Sequence, residues 1–148
     1  ALRFAAEYRE CIGREIKAMN TWGPYGLETY SIHQLEPIIM LMKGRITRVL
    51  AQTQKERVNL LMELEDGRNA SLLCAGGDCP FVASICFEDG CRFFSVESDS
   101  FGEFMRNLAD FFRGGEIPVS HEETIYIMAV REAALKASGQ PGVWTPVG

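Results

Sequence analysis

Between Arg45 and Glu97 apolar residues recur at about every second position, and on both sides of that block they recur at helical spacing. The stretches "RITRVLAQ", "RVNLLMELE", "NASLLCA", "PFVASICFE" and "CRFFSVES" each read as a strand bounded by turn residues. Two of the connections carry Asp-Gly, at Asp66-Gly67 and Asp89-Gly90. That pair suits a type I′ turn with positive φ at both central residues. On this reading Glu65 faces Arg68, and Glu88 faces Cys91. Upstream, "REIKAMNTW" alternates through Ile16, Ala18 and Asn20 and predicts a further strand, which "GPYG" ends.

Phe4, Ala5, Tyr8 and Ile12 mark a first helix, and Tyr30 to Lys43 a second with Leu35, Ile38, Ile39 and Met42 on one stripe. Thr29 or Ser31 is the expected N-cap of that second helix, and Gly44 its C-terminal stop with Lys43 near the negative end. Pro37 then belongs in the first turn or marks the true start. In "SFGEFMRNLADFFRGG", Phe101, Phe104, Met105, Leu108 and Phe112 form an apolar series behind a Ser100–Glu103 capping box. "IPVSHEETIYIMAVREAALKASG" repeats the device with Ser120 and Glu123, stops at Gly139, and presents Ile125, Met128, Ala129 and Ala133 as one face. "GVWTPVG" adds a short edge strand.

The elements predict an α+β fold: an open, mainly antiparallel β-sheet with helices packed on one face. Val58, Leu60, Met62 and Leu64 share one side of their strand while Leu61 falls on the other, and Leu73 and Ile85 extend the apolar character to both parities. A sheet with one solvated face alternates more cleanly. The second face is therefore expected to be an oligomer interface, most simply in a homodimer.

With 148 residues and 47% hydrophobic content, the chain can bury one sizeable core. Its net charge is −5 and its 15 Lys and Arg are scattered, which argues against nucleic acid as a partner. No run of about 18 uncharged apolar residues exists to span a membrane. The five cysteines include no C-x-x-C pair, and with two histidines they make a poor zinc inventory. Cys74 and Cys79 are able to close a small loop or to stay free. Buried free thiols, with no charged-then-apolar leader, fit a reducing cytoplasm. The opening "ALRFAAEYRECI" has neither a methionine nor a polar lead-in and reads as the start of a piece cut from a longer chain.

His33 follows Thr29 by four residues and precedes Glu36 by three. By residue type alone this is a capped helix start with a structural or surface histidine, and Glu36 complements the helix dipole. The sharper reading is one wall of an active site. Tyr30 either packs or hydrogen-bonds a polyol. His121 lies in the second capping box and is expected in solvent. Trp22 and Trp144 read as packing residues, Trp22 being near enough to line a pocket.

Three stretches resemble the C-terminal domain of the glucose-fructose oxidoreductase/inositol dehydrogenase/rhizopine-catabolism (Gfo/Idh/MocA) family. "LETYSIHQLEPIIMLMKGRITRVLA" is similar to the family's Asp-x-x-x-His-x-x-Asp helix and following strand. "FGEFMRNLADFFRGGEIPVSHEETIYIMAVREAALKAS" is similar to its late helix pair, and "GVWTPV" to its closing strand. The resemblance touches about two thirds of the chain. It implies that residues 1–148 are a substrate-binding and oligomerisation domain whose N-terminal Rossmann partner, carrying NAD or NADP, lies outside this chain. Neither G-x-G-x-x-G after a strand nor the family's Glu-Lys-Pro motif occurs here, so the resemblance assigns no cofactor-binding residue and leaves the isolated chain inactive. It places the catalytic acid/base on His33 and substrate contacts on Thr29, Tyr30 and Glu36, with a sugar or cyclitol as substrate. Thr29 departs from the family's aspartate and cannot supply that residue's charge. The other expectation is a stand-alone dimerisation or small-ligand-binding module without redox chemistry.

Overall fold

In the computed structural model, which describes residues 1–148, the alternating block folds into five consecutive strands. They are β2 (Ile46–Gln54), β3 (Arg57–Leu64), β4 (Asn69–Cys74), β5 (Val82–Phe87) and β6 (Gly90–Ser95). β1 (Ile16–Gly23) inserts between β5 and β4, and β7 (Thr145–Pro146) adds to the far side of β2. The seven-stranded open sheet runs β6-β5-β1-β4-β3-β2-β7. All pairs are antiparallel except β1 with β4, which pair Ala18 with Asn69 through Gly23 with Cys74 in parallel. The α+β class and the closing edge strand are as the sequence predicts.

α2 (Leu27–Met42) and α4 (His121–Ser138) cover one face of this sheet. α2 buries Leu35, Ile38, Leu41 and Met42 over β1 and β4, where Met19 and Leu72 are buried, while α4 buries Ile127, Val130, Ala133, Ala134 and Ala137 toward β2. Burying one Leu, Ile or Met side chain is worth about 1.5–3 kcal/mol, so this layer supplies most of the drive to fold. A 3-10 turn (Leu2–Phe4), α1 (Ala6–Arg9) and α3 (Ser100–Phe112) wrap the margin. Tyr8 is fully buried there, edge-on to Phe94 at 5.2 Å.

Several local expectations are corrected. The Glu65–Gly67 connection is a three-residue loop: Leu64 N–H donates to Arg68 C=O, and positive φ falls on Gly67 alone. Arg68 pairs with Asp66 at 2.7 Å rather than with Glu65, whose carboxylate accepts from the Arg45 N–H. In the second hairpin Phe87 pairs with Gly90 and Cys86 with Cys91, so Glu88-Asp89 form the loop and the register shifts by one. An irregularity between Ile16 and Ala18 turns β1 over, putting Met19 and Thr21 in the core instead of Ala18 and Asn20. α2 begins at Leu27 behind Gly26, so neither Thr29 nor Ser31 caps it; Pro37 lies in its middle, and Lys43, not Gly44, takes the left-handed C-cap.

The late helices are corrected as well. Asp99, not Ser100, caps α3 by accepting from the Gly102 N–H at 2.8 Å. Ser120 does cap α4, but Glu123 turns away to pair with Arg3. The buried stripe of α4 runs through Ile127 and Val130, leaving Ile125 70% exposed. α3 leans on the N-terminal turn through Phe104 and Phe4, 5.8 Å apart, and buries none of its residues fully. Helical spacing identifies an amphipathic face; it does not say which neighbour that face meets.

One polar residue sits at the centre of the core. Gln34 has no exposure; its Oε1 accepts from Thr21 Oγ1 at 2.8 Å and its Nε2 donates to Leu73 C=O at 3.2 Å. The side chain thereby ties α2 to β1 and β4. A Cβ on Gly23 would stand 2.5 Å from Gln34 Nε2 and 2.8 Å from Phe81 Cε1, so glycine is required for the amide to fit. At the margin, Glu7 accepts from Glu97 N–H, Ser98 N–H and Ser98 Oγ. Partial burial pushes its carboxyl upward, but these bonds outweigh it and hold it down to about 2.

Gln34→Leu strands the buried Thr21 hydroxyl and is expected to lower stability by about 1–3 kcal/mol. Gly23→Ala, which overpacks the same spot, should cost about 1–3 kcal/mol as well. Urea denaturation midpoints measure both, and wild-type midpoints would remove Gln34 from its anchoring role. Because the folded Glu7 is depressed below its unfolded value, its contribution is complete above the usual carboxylate range and disappears as the pH falls toward about 2. Glu7→Gln should therefore cost about 1 kcal/mol at neutral pH, allowing for solvent screening, and nothing in strong acid. Paired thermal melts across pH check that convergence.

Candidate functional site

The turn from β1 into α2 is zipped to the loop after β4. Tyr25 N–H donates to Gly77 C=O at 2.9 Å, and Gly76 N–H to Tyr25 C=O at 3.1 Å. Tyr25 takes a left-handed φ of 59°, strained for a bulky residue, and these two bonds hold it there. From this turn an aromatic row runs along α2. Tyr25 and Tyr30 lie 4.5 Å apart, Tyr30 meets the His33 ring edge-on at 5.3 Å, and Phe81 closes the far side at 6.1 Å.

His33 is half-buried in this row. No hydrogen bond to protein engages its ring nitrogens, and no buried side-chain nitrogen or oxygen lacks a partner, so both nitrogens reach solvent. Burial, the largest influence, lowers its proton affinity; Glu36 pulls the other way more weakly and does not prevail. The imidazole is thus neutral at neutral pH and has a lone pair to offer. Pro37 has no N–H for the His33 carbonyl four residues back, so that oxygen lacks its usual helical donor.

The other predicted residues fall into place unevenly. Thr29, His33 and Glu36 share one face of α2 by their i, i+4, i+7 spacing. Glu36 is half-buried, its carboxylate 3.7 Å from the backbone nitrogen of Ala1. Thr29 is exposed and forms no hydrogen bond to His33. His121 is exposed as the first residue of α4. Tyr25, Phe81 and Gln34 escaped the sequence reading. "GPYG" and "CPF" signal only turns, although the glutamine in the apolar series Ser31, Gln34, Leu35, Ile38 was a legible oddity.

The β1–α2 turn does not form a dinucleotide cradle. In the glycine-bearing strand-to-helix turn, Gly23 is occupied by Gln34 and Phe81, leaving no close approach for a pyrophosphate. Nowhere do three or more His, Cys, Asp or Glu side chains gather so as to hold a metal ion. No helix is long and apolar enough to cross a membrane.

The uncovered face of the sheet is different in kind. Trp22 and Phe93, 53% and 78% exposed, flank a concavity of about 630 Å³ floored by Asn20, Ser71 and Ser84. Ser71 Oγ donates to Asn20 Oδ1 at 2.7 Å, and Asn20 Nδ2 to Ser84 Oγ at 3.2 Å. Trp22 is thus not core packing, and it lies across the sheet from Gln34. Leu61 and Leu73 share this face. Ile85 does not; it is fully buried on the opposite side.

No protein-family model and no curated protein sequence matches this chain. Solved structures do. Myo-inositol dehydrogenase from Corynebacterium glutamicum is similar over 99% of this chain and 62% of its own, at TM-score 0.78 and 10% identity. Scyllo-inositol dehydrogenase from Lactobacillus casei, with bound NAD(H) and scyllo-inositol, covers 98% of this chain and 62% of its own, at 0.72 and 16%. Myo-inositol 2-dehydrogenase from Lactobacillus plantarum covers 99% and 63%, at 0.73 and 12%. The chain spans less than two thirds of the length of these proteins, and what it shares with these inositol dehydrogenases of the Gfo/Idh/MocA type is the fold of that larger portion.

Proposed function

We propose that this chain is the C-terminal substrate-binding and oligomerisation domain of an NAD(P)-dependent oxidoreductase acting on the C–OH of a sugar or cyclitol. The single observation that carries the reading is a neutral, half-buried His33 with free ring nitrogens, in a fold shared over nearly its whole length with inositol dehydrogenases. The nicotinamide supplies the hydride acceptor from a Rossmann domain outside these residues. His33 takes the proton of the substrate hydroxyl, and the aromatic edges of Tyr30 and Phe81 restrict water around it. Glu36 on the same helix face favours the imidazolium that results. Thr29 and the Tyr30 hydroxyl offer hydrogen bonds to ring hydroxyls. A His33 buried and hydrogen-bonded to backbone would favour the stand-alone binding module instead, and no such bond is present.

The test begins with the coding frame upstream of Ala1, where a strand followed by G-x-G-x-x-G is expected. In that longer protein His33→Ala should lower kcat by about 10²–10⁴-fold on a polyol with NAD or NADP. Since the base must be unprotonated, kcat/KM of the unaltered protein should rise with pH through a value below the usual imidazole range, and the variant should lose that limb. An unchanged kcat and pH profile removes His33 from the chemistry. Residues 1–148 alone should reduce neither cofactor.

On the same reading the open face around Trp22, Leu61, Leu73 and Phe93 pairs with a second copy. A stable dimer buries about 1,200–2,000 Å² in total. Sedimentation of the purified protein should show a dimer or larger assembly, and Leu61→Glu with Phe93→Glu should yield monomers that keep their helical circular dichroism. A monomeric unaltered protein at tens of micromolar would refute the interface.

A further inference from the structure

Cys86 on β5 and Cys91 on β6 are directly opposed in the ladder, and their Sγ atoms lie 2.6 Å apart. Opposed residues on antiparallel strands have Cα atoms about 4.5–5.5 Å apart, within the range that a disulfide spans without moving the backbone. The Glu88-Asp89 loop fixes that register. Cys91 is exposed and Cys86 half-buried; both point to the uncovered side of the sheet at the turn end of the edge hairpin, outside the Trp22, Leu61, Leu73 and Phe93 patch. The remaining thiols are placed differently: Cys11 and Cys74 are buried, and no disulfide joins Cys74 to Cys79.

We propose that Cys86 and Cys91 are a reversible dithiol–disulfide pair oxidised by a low-molecular-weight disulfide such as oxidised glutathione. The exposed Cys91 gives its proton to solvent and attacks one sulfur of the small disulfide. A Cys91–glutathione bond forms, the glutathione S–S bond breaks, and one glutathione thiolate leaves and is protonated. Cys86 then gives its proton to solvent and its thiolate attacks the Cys91 sulfur; the Cys86–Cys91 bond forms, the mixed disulfide breaks, and the second glutathione leaves as a thiolate and is protonated. Two protein thiols are oxidised and one disulfide is reduced to two thiols.

The geometry favours completion, because the resolving sulfur is already in contact when the mixed disulfide forms. The hydrogen bond shared with Cys86, followed by desolvation, holds the Cys91 thiol above its ordinary value, so the first step should quicken as pH rises through the thiol range. The product staples the hairpin that forms one edge of the sheet, where strands open most readily.

The experiment incubates the folded protein with oxidised glutathione, then counts alkylatable thiols and maps the cross-link by mass spectrometry. A Cys79→Ser background removes the rival partner of Cys74. Two thiols should disappear with no retained glutathione, return on adding dithiothreitol, and map to Cys86 and Cys91. Cys86→Ser should instead hold one glutathione on Cys91. In the oxidised protein, hydrogen exchange of β5 and β6 amides should slow. A stable glutathione adduct on Cys91 of the unaltered protein, full retention of both thiols, or a cross-link mapped elsewhere would each overturn the proposal.

Discussion

A carboxamide buried in an apolar layer must satisfy its own hydrogen bonds, and Gln34 does so by reaching two strands at once. Thr21 on β1 donates to it and the Leu73 carbonyl on β4 accepts from it. Leaving either group unpaired in a dry core costs about 1–3 kcal/mol, so the amide admits one rotation of α2 over the sheet and penalises the others. That rotation decides what the rest of the helix presents. Successive residues of a helix are turned by about 100°, so an inward Gln34 forces His33 off the core toward Phe81. Gly23 makes the arrangement possible by leaving the space where a side chain would collide with the amide.

The same constraint sets the surroundings of His33. The helix that Gln34 orients carries Tyr30 to one side of the imidazole, and the loop that delivers Phe81 supplies the other. Those aromatic edges withdraw the ring from water without hydrogen-bonding it, which disfavours the charged form and keeps a basic nitrogen free. A histidine held by backbone would be structurally useful and chemically spent. The strained Tyr25 at the head of the row, with two backbone bonds to the neighbouring loop, marks where the chain gives up local comfort to shape this corner.

The two faces of the sheet divide the remaining roles. Beneath α2 and α4 every buried polar side chain has a partner and the residues are almost wholly aliphatic. The other face mixes exposed Trp22 and Phe93 with amides and hydroxyls that already bond one another, a composition suited to contact with another surface. Cys86 and Cys91 stand at its margin, where a covalent change alters the edge strand and leaves the core layer untouched.

The strands, the helix positions and the closing edge strand were legible because alternation and helical spacing are local and repeat over many residues. His33 was legible as a candidate because an imidazole in an otherwise apolar run is conspicuous. The turns were read one residue off, since an Asp-Gly pair fits more than one loop and the ladder beyond it chooses. The faces of α3 and α4 were misread because amphipathicity does not name the neighbour: Phe101 and Ile125 look like core residues until the N-terminal turn and β2 take their places. Pro37 reads as a helix-start residue because proline breaks a local hydrogen bond, yet it lies buried in the middle of α2, where tertiary burial outweighs that cost. The chain's own pattern thus determined which segments form strands and helices. Only the tertiary structure decided which side of each met the core, because that choice rests on contacts between residues far apart in sequence, as Gln34 meeting Thr21 and Leu73 shows.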